Sequence, residues 1–244
     1  MTYDDYLDGN PAIITAALTG GVHGKETHPD LPETPEEIAA AACEEGGASV
    51  FHLHARRDNG ERAFSAERFQ EVADAVRATT DDVVLRHSTG GTAAPDALRH
   101  EPLRTDPAPE MASLDMGPLN RYDRLTSENT RELVASLHAE MRDRGIKPEL
   151  EVFNDGHLNE SLAIPEELDD PPYLNFLFGG GTTSPPHPRN LVNRVGALPE
   201  GVEFNVIGFG PHQLPMTTQS LLLGGHVRVG LEDNLYLTLP GLRD

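Results

Sequence analysis

Tryptophan is absent from this chain of 244 residues, cysteine occurs once, and lysine only twice, at Lys25 and Lys147. A lone Cys43 rules out an internal disulfide framework and reads as packing within a helix, not as a nucleophile. No apolar run approaches the ~20 residues that a membrane-spanning helix requires. The opening Met1-Thr-Tyr-Asp-Asp-Tyr6 is acidic where a signal peptide would be basic. These shortages predict a cytoplasmic protein with no membrane partner. Basic charge is scarce as well: 19 Lys and Arg stand against 40 Asp and Glu, a formal net charge of -21. Such an excess repels nucleic acid, which is excluded as a partner.

The acids are not gathered in a tail. They recur along helix-like stretches, as at Glu36-Glu37, Glu44-Glu45 and Asp81-Asp82. A distributed acidic surface with so little lysine predicts a halophilic protein, kept soluble where a Debye length of about 3 Å or less screens self-repulsion.

What the chain does contain is an alternation of short apolar runs with amphipathic helical patterns, the sequence form of repeated βα units. Strands are expected at 13–18, 48–56, 83–87, 111–116, 149–153, 173–178, 203–207 and 226–232. Thr34, Pro35 and Glu37 form a capping box at the head of a helix that stops at Gly46-Gly47. Ser65 caps a second helix, with Phe69, Val72, Ala73 and Val76 on one face. Helical stretches follow at 95–103, 126–144, 189–195 and 217–223, and the segment after the fifth strand is Pro-rich and irregular. This order predicts a (β/α)8 TIM barrel, one domain over residues 1–244. A doubly wound open sheet is the alternative, but Thr19-Gly20-Gly21 does not match its GxGxxG turn. The chain stops at Asp244, so the eighth helix is expected to be shortened or missing. Leu235, Leu237, Leu239 and Leu242, or a neighbouring subunit, would then cover strand eight.

Chemistry-bearing residues fall at the C-terminal ends of these strands, where a barrel builds its active site. In His52-Leu53-His54 the strand period of two puts both imidazoles on one face, roughly 6.6 Å apart at Cα, so that both can reach one ion. Glu232 is a candidate third ligand, leaving an open coordination position. Two imidazoles and a carboxylate suit Zn2+, and also accept Co2+ or Mn2+. Arg228 and Glu232 share a parity opposite to Val227, Val229 and Leu231, which directs the polar pair into the barrel mouth. Glu149 and Glu151 lie on strand five; Ser88-Thr89-Gly90-Gly91 is either a turn or an anion-binding loop. His23, His28, His87, His157, His187 and His212 are expected in or near loops, solvated by default.

The segments Ile13–Gly20, His28–Ile38, Val50–Arg56, Ser88–Gly91, Pro109–Ser113, Lys147–Phe153, Gly208–Pro215 and Gly224–Asn234 resemble, in order, the β-keto acid cleavage enzymes. The resemblance implies a metal-dependent, oligomeric barrel (dimer or tetramer) that condenses a β-keto acid with acetyl-CoA to give acetoacetate and a new acyl-CoA. It implies His52, His54 and Glu232 as zinc ligands, and Arg228 with Asp233 as a catalytic pair. It also implies Ser88, within the Ser88–Gly91 loop, as a substrate contact and Glu151 as the strand-five acid. On that scheme Asp233, oriented by Arg228, takes a proton from the acetyl methyl group, and Ser88 helps hold the keto acid carboxylate. Two departures bear on substrate choice. Val22 stands where the family commonly has a substrate-contacting glutamate, and Asp115-Met116 replaces hydroxyl residues at the end of strand four. Two other readings remain, a metal-dependent barrel hydrolase or aldolase sharing HxH by convergence, and a non-catalytic homologue.

The charge balance carries its own prediction. Thermal unfolding followed by circular dichroism should move to higher temperature as KCl rises from about 0.1 M to about 3 M, because screening removes repulsion among the acids. A midpoint that is flat or falls over that range contradicts the saline reading.

Overall fold

The computed structural model describes residues 4, 7–44, 47–80, 82–91, 94–121, 125–164, 171–180 and 183–236. Eight strands, all parallel, close into a barrel: β1 (Ile14–Ala17), β2 (Val50–Leu53), β3 (Val84–His87), β4 (Met111–Asp115), β5 (Lys147–Val152), β6 (Tyr173–Phe178), β7 (Glu203–Gly208) and β8 (His226–Val229). Pairing of β8 with β1 completes the circle and sets Thr15 opposite Arg228, while β1 sets Ala17 opposite His52 on its other side. Between the strands run α1 (Pro35–Glu44), α2 (Ala66–Thr79), α3 (Asp96–Arg99), α4 (Arg131–Arg144), α5 (Asp155–Leu162), α6 (Pro188–Val195) and α7 (Gln213–Leu222). The predicted (β/α)8 architecture is the observed one. None of the helices among the described residues is long and apolar enough to cross a membrane.

Alternation along each strand separates two environments. Outward residues such as Leu114, Leu150, Phe176 and Val206 pack against Leu137 of α4 and Met216 of α7. On the other flank Phe51, Leu53 and Leu85 meet Ile38 of α1 and Phe69 and Val72 of α2. The inward set is polar: Thr15, His52, Arg86, Glu149, Asn175 and Asn205 are all at most 2% exposed. A barrel lumen is ordinarily filled by branched apolar side chains, so this one is committed to holding charge.

The caps read from sequence hold. The Glu37 amide donates to Thr34 Oγ1 at 3.3 Å, and the Thr34 amide donates to the Glu37 carboxylate at 3.3 Å. Ser65 accepts from the Arg68 amide. Other expectations need correction. The helix expected over 126–144 starts at Arg131, because Leu125–Ser127 pairs antiparallel with Leu119–Arg121, Asn129 takes a φ of 30°, and Thr130 caps. The irregular stretch after strand five contains α5, capped by Asn154; its only buried apolar residue is Leu158, too little for an apolar period to show. Strand eight has four residues and stops at Val229, three short of the expected 232. Cys43 is exposed on α1, whose packed face is Ile38, Ala39 and Ala42. His87 and His157 are buried, not solvated. Among the described residues no helix follows β8. Leu235 is half-buried, and the expected cover by Leu237, Leu239 and Leu242 lies outside the described residues.

One ion-pair hub ties α4 to the β3–β4 connection. Glu140 accepts from His100 Nδ1 at 2.6 Å, Arg104 Nε at 2.9 Å and Arg144 Nε at 3.0 Å. Burial raises its carboxyl, but the hydrogen bonds from Arg104, His100 and Arg144 outweigh this and hold it at about 2, against an ordinary 4.5. A carboxyl lowered by folding contributes stability that is complete above its unfolded value and is lost as pH falls through its folded one. Glu140→Gln should therefore lower the unfolding free energy near neutral pH by about 1–3 kcal/mol. Urea titrations of both proteins at fixed salt should show that gap narrowing below about pH 4.5; a gap independent of pH contradicts the assignment.

Candidate active site

The polar ends of β2 and β8 meet at the C-terminal mouth of the barrel. His52 sits on β2 and His54 one residue past its end, so their side chains share the inward face. Their Nε2 atoms lie 3.2 Å apart. Glu232 reaches the same point from the β8 side, 3.3 Å from each imidazole. It does not do so by strand parity, as the sequence suggested, because β8 has already ended. A turn carries it: Gly230 has a φ of 135°, and the Asp233 and Asn234 amides donate back to its carbonyl. The Glu232 amide donates to the Ala17 carbonyl at 3.2 Å, which docks that turn on β1. A Cβ on Gly230 would overlap Ala17, and one on Gly20 would come within 2.9 Å of the Glu232 side chain.

One ligand atom from each of His52, His54 and Glu232 falls within 4.8 Å of the others. Burial holds His54 at about 4 and His52 well below the usual imidazole range, where Arg228 and Arg86 add to the effect. For Glu232, burial pulls upward, but Arg228 and the two imidazoles outweigh it and keep the carboxyl ionised. Neutral imidazoles beside a carboxylate are the protonation states metal binding requires. Glu232 Oε2 is buried with no hydrogen-bond partner. An orphaned carboxylate oxygen 3.3 Å from His52 Nε2, with its twin 3.3 Å from His54 Nε2, fits a divalent cation.

Behind the cluster lies Arg86, which the sequence reading passed over. It is fully buried on β3 and brings Nη1 to 2.7 Å from His52 Nδ1. Its Nη2 pairs with both Glu149 and Glu151 of β5. The contact on Nδ1 fixes the His52 ring and leaves its Nε2 turned to Glu232. Strand parity, applied to Val84-Leu85-Arg86-His87 as it was to β8, would have found it. Glu151 is pushed up to about 7 by burial, which Arg86 opposes and the neighbouring Asp115 and Glu149 reinforce.

Arg228 holds Asp233 in a two-point grip, Nε to Oδ2 at 2.8 Å and Nη2 to Oδ1 at 2.9 Å. Burial pushes Asp233 up to about 6 against the pull of Arg228, and Glu232 beside it adds to the rise. Both residues line the cavity that contains the imidazoles, with Glu151 and Ser88 in the same wall. The Ser88–Gly91 loop divides. Ser88 and Gly90 line the cavity. Thr89 turns away and bonds the Ser113 backbone of β4 at 2.6 Å, and Gly91 lies against Arg99. Asp115 also lines the cavity but accepts from Asn129 at 3.3 Å and lies 3.7 Å from Arg99.

The β1–α1 loop roofs the site. Arg56, 4% exposed, donates to the carbonyls of Gly20, His23 and Gly60 and so clamps that loop to the ribbon formed by residues 55–56 and 62–63. Arg62 from the same ribbon, His23, Leu177 and Phe209 line the cavity as well. Three of these, Arg62, His23 and Phe209, are placed by loops or by a ribbon only two residues wide, which leave no local pattern, and Leu177 lies on β6 within a run that is apolar on both faces.

Comparison with known proteins bears directly on this site. The profile of the β-keto acid cleavage enzyme family matches residues 11–243. The chain belongs to the β-keto acid cleavage enzyme family. It is 38% identical, over 92% of its own length and 84% of the relative's, to a 3-keto-5-aminohexanoate cleavage enzyme of Acetoanaerobium sticklandii. It is 33% identical, over 93% and 81% of the two chains, to a 3-oxoadipate:acetyl-CoA acetyltransferase of Cupriavidus necator. An apo structure of ObcA superposes with a TM-score of 0.72 at 20% identity, covering 85% of this chain and 56% of that one, which is a likeness of fold.

As a family member with this ligand set, the protein should bind close to one divalent ion per chain, read by elemental analysis after gel filtration in high salt. His54→Ala and Glu232→Gln should each lower retained metal by at least ~10-fold while leaving the circular dichroism spectrum in place. Full metal occupancy in either variant would remove the cluster from the site.

Proposed function

We propose that this β-keto acid cleavage enzyme takes its acyl acceptor from acetyl-CoA, converting a β-keto acid and acetyl-CoA into acetoacetate and a new acyl-CoA. The observation that carries this is the seating of the Arg228–Asp233 pair in the cavity that also holds the His52, His54 and Glu232 cluster. A base and an electrophile site side by side are what carbon–carbon exchange next to a ketone requires. Acetyl-CoA is named as co-substrate of the Cupriavidus necator relative.

Atom balance revises the scheme expected from sequence. An acetyl carbanion adding to the ketone would give a 3-oxoacyl-CoA and acetate, not acetoacetate. The proton must leave C2 of the keto acid instead. Asp233, oriented by Arg228, takes that proton, and C2 attacks the acetyl carbonyl as its bond to sulfur breaks. The freed thiolate adds to C3 of the keto acid, the C2–C3 bond breaks, and Asp233 returns the proton to C2. Ser88 Oγ and the Gly90 edge of the loop hold the carboxylate of the keto acid, with Thr89 and Gly91 supporting that loop from behind. Glu151 keeps Arg86 against His52. A divalent cation held by His52, His54 and Glu232, with Zn2+ preferred and Co2+ or Mn2+ accepted, would supply Lewis acidity to the keto oxygen.

The assembly we propose is a cytoplasmic homo-oligomer, a dimer or tetramer. Leu214 and Leu222 of α7, 71% and 55% exposed, and Val192 of α6, 47% exposed, support a subunit contact on the outer face of these two helices.

Asp233→Asn should cut kcat with a β-keto acid and acetyl-CoA by at least ~100-fold, with metal content unchanged. Steady-state assays paired with elemental analysis check this. A near-normal kcat in the amide variant would put the base elsewhere.

A further inference from the structure

Behind the Ser88–Gly91 loop, one buried carboxamide joins three parts of the fold. Asn129 stands between the ribbon of residues 119–127 and the cap of α4, with a φ of 30°. Positive φ is uncommon for a residue with a side chain, although Asn enters that region more readily than most. Its Nδ2 donates to the Gly117 carbonyl at 2.8 Å and to Asp115 Oδ2 at 3.3 Å. Its Oδ1 accepts from Arg99 Nη1. Two N–H groups meet two acceptors and the oxygen meets a guanidinium, so the reversed amide would satisfy none of the three.

Arg99 carries the connection to the cavity. It is buried at the end of α3, and its Nε donates to the Thr89 carbonyl at 2.7 Å. Its stem lies against Gly91, where a Cβ would come within 2.5 Å of Arg99 Cδ. Thr89 is pinned on its other side to β4: its amide donates to Ser113 Oγ at 2.9 Å, and its hydroxyl to the Ser113 carbonyl. These contacts hold the back of the loop whose front, Ser88 and Gly90, lines the cavity. The Gly90 amide donates to Ser88 Oγ at 3.3 Å, so the two front residues are set together. Ser113 belongs to the barrel and is fixed by it. Arg99 comes from a four-residue helix outside the barrel and has to be held, and Asn129 holds it, with Asp115 Oδ2 3.7 Å from the same guanidinium.

We propose that Asn129 is a positioning residue for the keto acid: acting through Arg99 and Thr89, it sets where Ser88 and Gly90 meet the substrate carboxylate. This rests on the reading above in which Ser88 and Gly90 hold that carboxylate. Asn129 itself does not line the cavity. A shift of ~1 Å in a group that orients substrate can cost ~100-fold in rate, so a remote amide has real leverage.

Asn129→Gly is the decisive variant, because glycine accepts the positive φ and removes only the carboxamide. The assay uses zinc-loaded protein in molar KCl with acetyl-CoA and the faster of 3-oxoadipate and 5-amino-3-oxohexanoate. The KM for the keto acid should rise by at least ~10-fold, while kcat, the KM for acetyl-CoA and retained metal each stay within ~3-fold of wild type. Arg99→Met should give the same split. Adding Asn129→Gly to it should raise that KM by no more than ~2-fold further, since the carboxamide acts through the guanidinium. Asn129→Asp keeps an acceptor for Arg99 at the same volume, and should recover at least ~3-fold of the loss. The calorimetric Kd for acetoacetate, which carries the same carboxylate, should follow the keto acid KM. A keto acid KM near wild type in Asn129→Gly overturns the proposal. So does a full second loss in the double variant, or a loss spread equally over kcat and both KM values, as a merely structural residue would give. Ser88→Ala separates the two readings. A KM unchanged there but raised in Asn129→Gly and Arg99→Met would sink the carboxylate assignment and leave the positioning through Arg99 standing; the reverse pattern would sink the positioning alone.

Discussion

Charge buried in the lumen of the barrel is the constraint to which the rest of the structure answers. Arg86 and Arg228 are at most 3% exposed, and an unpaired ion there would cost several kcal/mol. Each is surrounded by carboxylates: Glu149 and Glu151 around Arg86, Asp233 and Glu232 around Arg228. Four carboxylates thus share two guanidinium groups. Burial raises Glu151 to about 7 and Asp233 to about 6, as expected of acids competing for too little positive charge. A divalent cation beside His52, His54 and Glu232 would add positive charge to this cluster. The His52, His54 and Glu232 cluster and the Arg228–Asp233 pair thus share one set of buried charges.

The same constraint explains how the barrel is framed. Apolar packing is displaced to the outside of the strands, where Phe51, Leu114, Phe176 and Val206 meet the helices. The lumen gives up hydrophobic filling in exchange for fixed dipoles and charges, the preorganisation on which electrostatic catalysis depends. Close approach of backbone to side chain completes it: Gly20 makes room for Glu232, Gly230 makes the turn that delivers it, and Arg56 holds the roof loop through the carbonyls of Gly20 and His23.

Much of this was written legibly. A period of two in His52-Leu53-His54 and in Val227-Arg228-Val229 shows which side chains face inward, and caps at Thr34 and Ser65 mark where two helices begin. What the sequence hid follows from its physics. Glu232 leaves the strand through a positive-φ glycine, so its arrival is a matter of turn geometry, not parity. Arg62 stands on a ribbon too short to announce itself. Asp115 looks like a recognition acid until α3 supplies Arg99 from a distance that no local pattern encodes. Helix α5 stays silent because its buried face is mostly polar, with His157 and Ser161 beside a single leucine.

The central claim is that the cavity transfers an acetyl group onto C2 of a keto acid and hands the remaining acyl group to CoA. Acetyl-CoA labelled with carbon-13 at its carbonyl tests it directly by nuclear magnetic resonance of the products. The label should appear wholly in the ketone carbon of acetoacetate, with none in the new acyl-CoA. Label recovered in acetate, in a 3-oxoacyl-CoA or in the new acyl-CoA would contradict it.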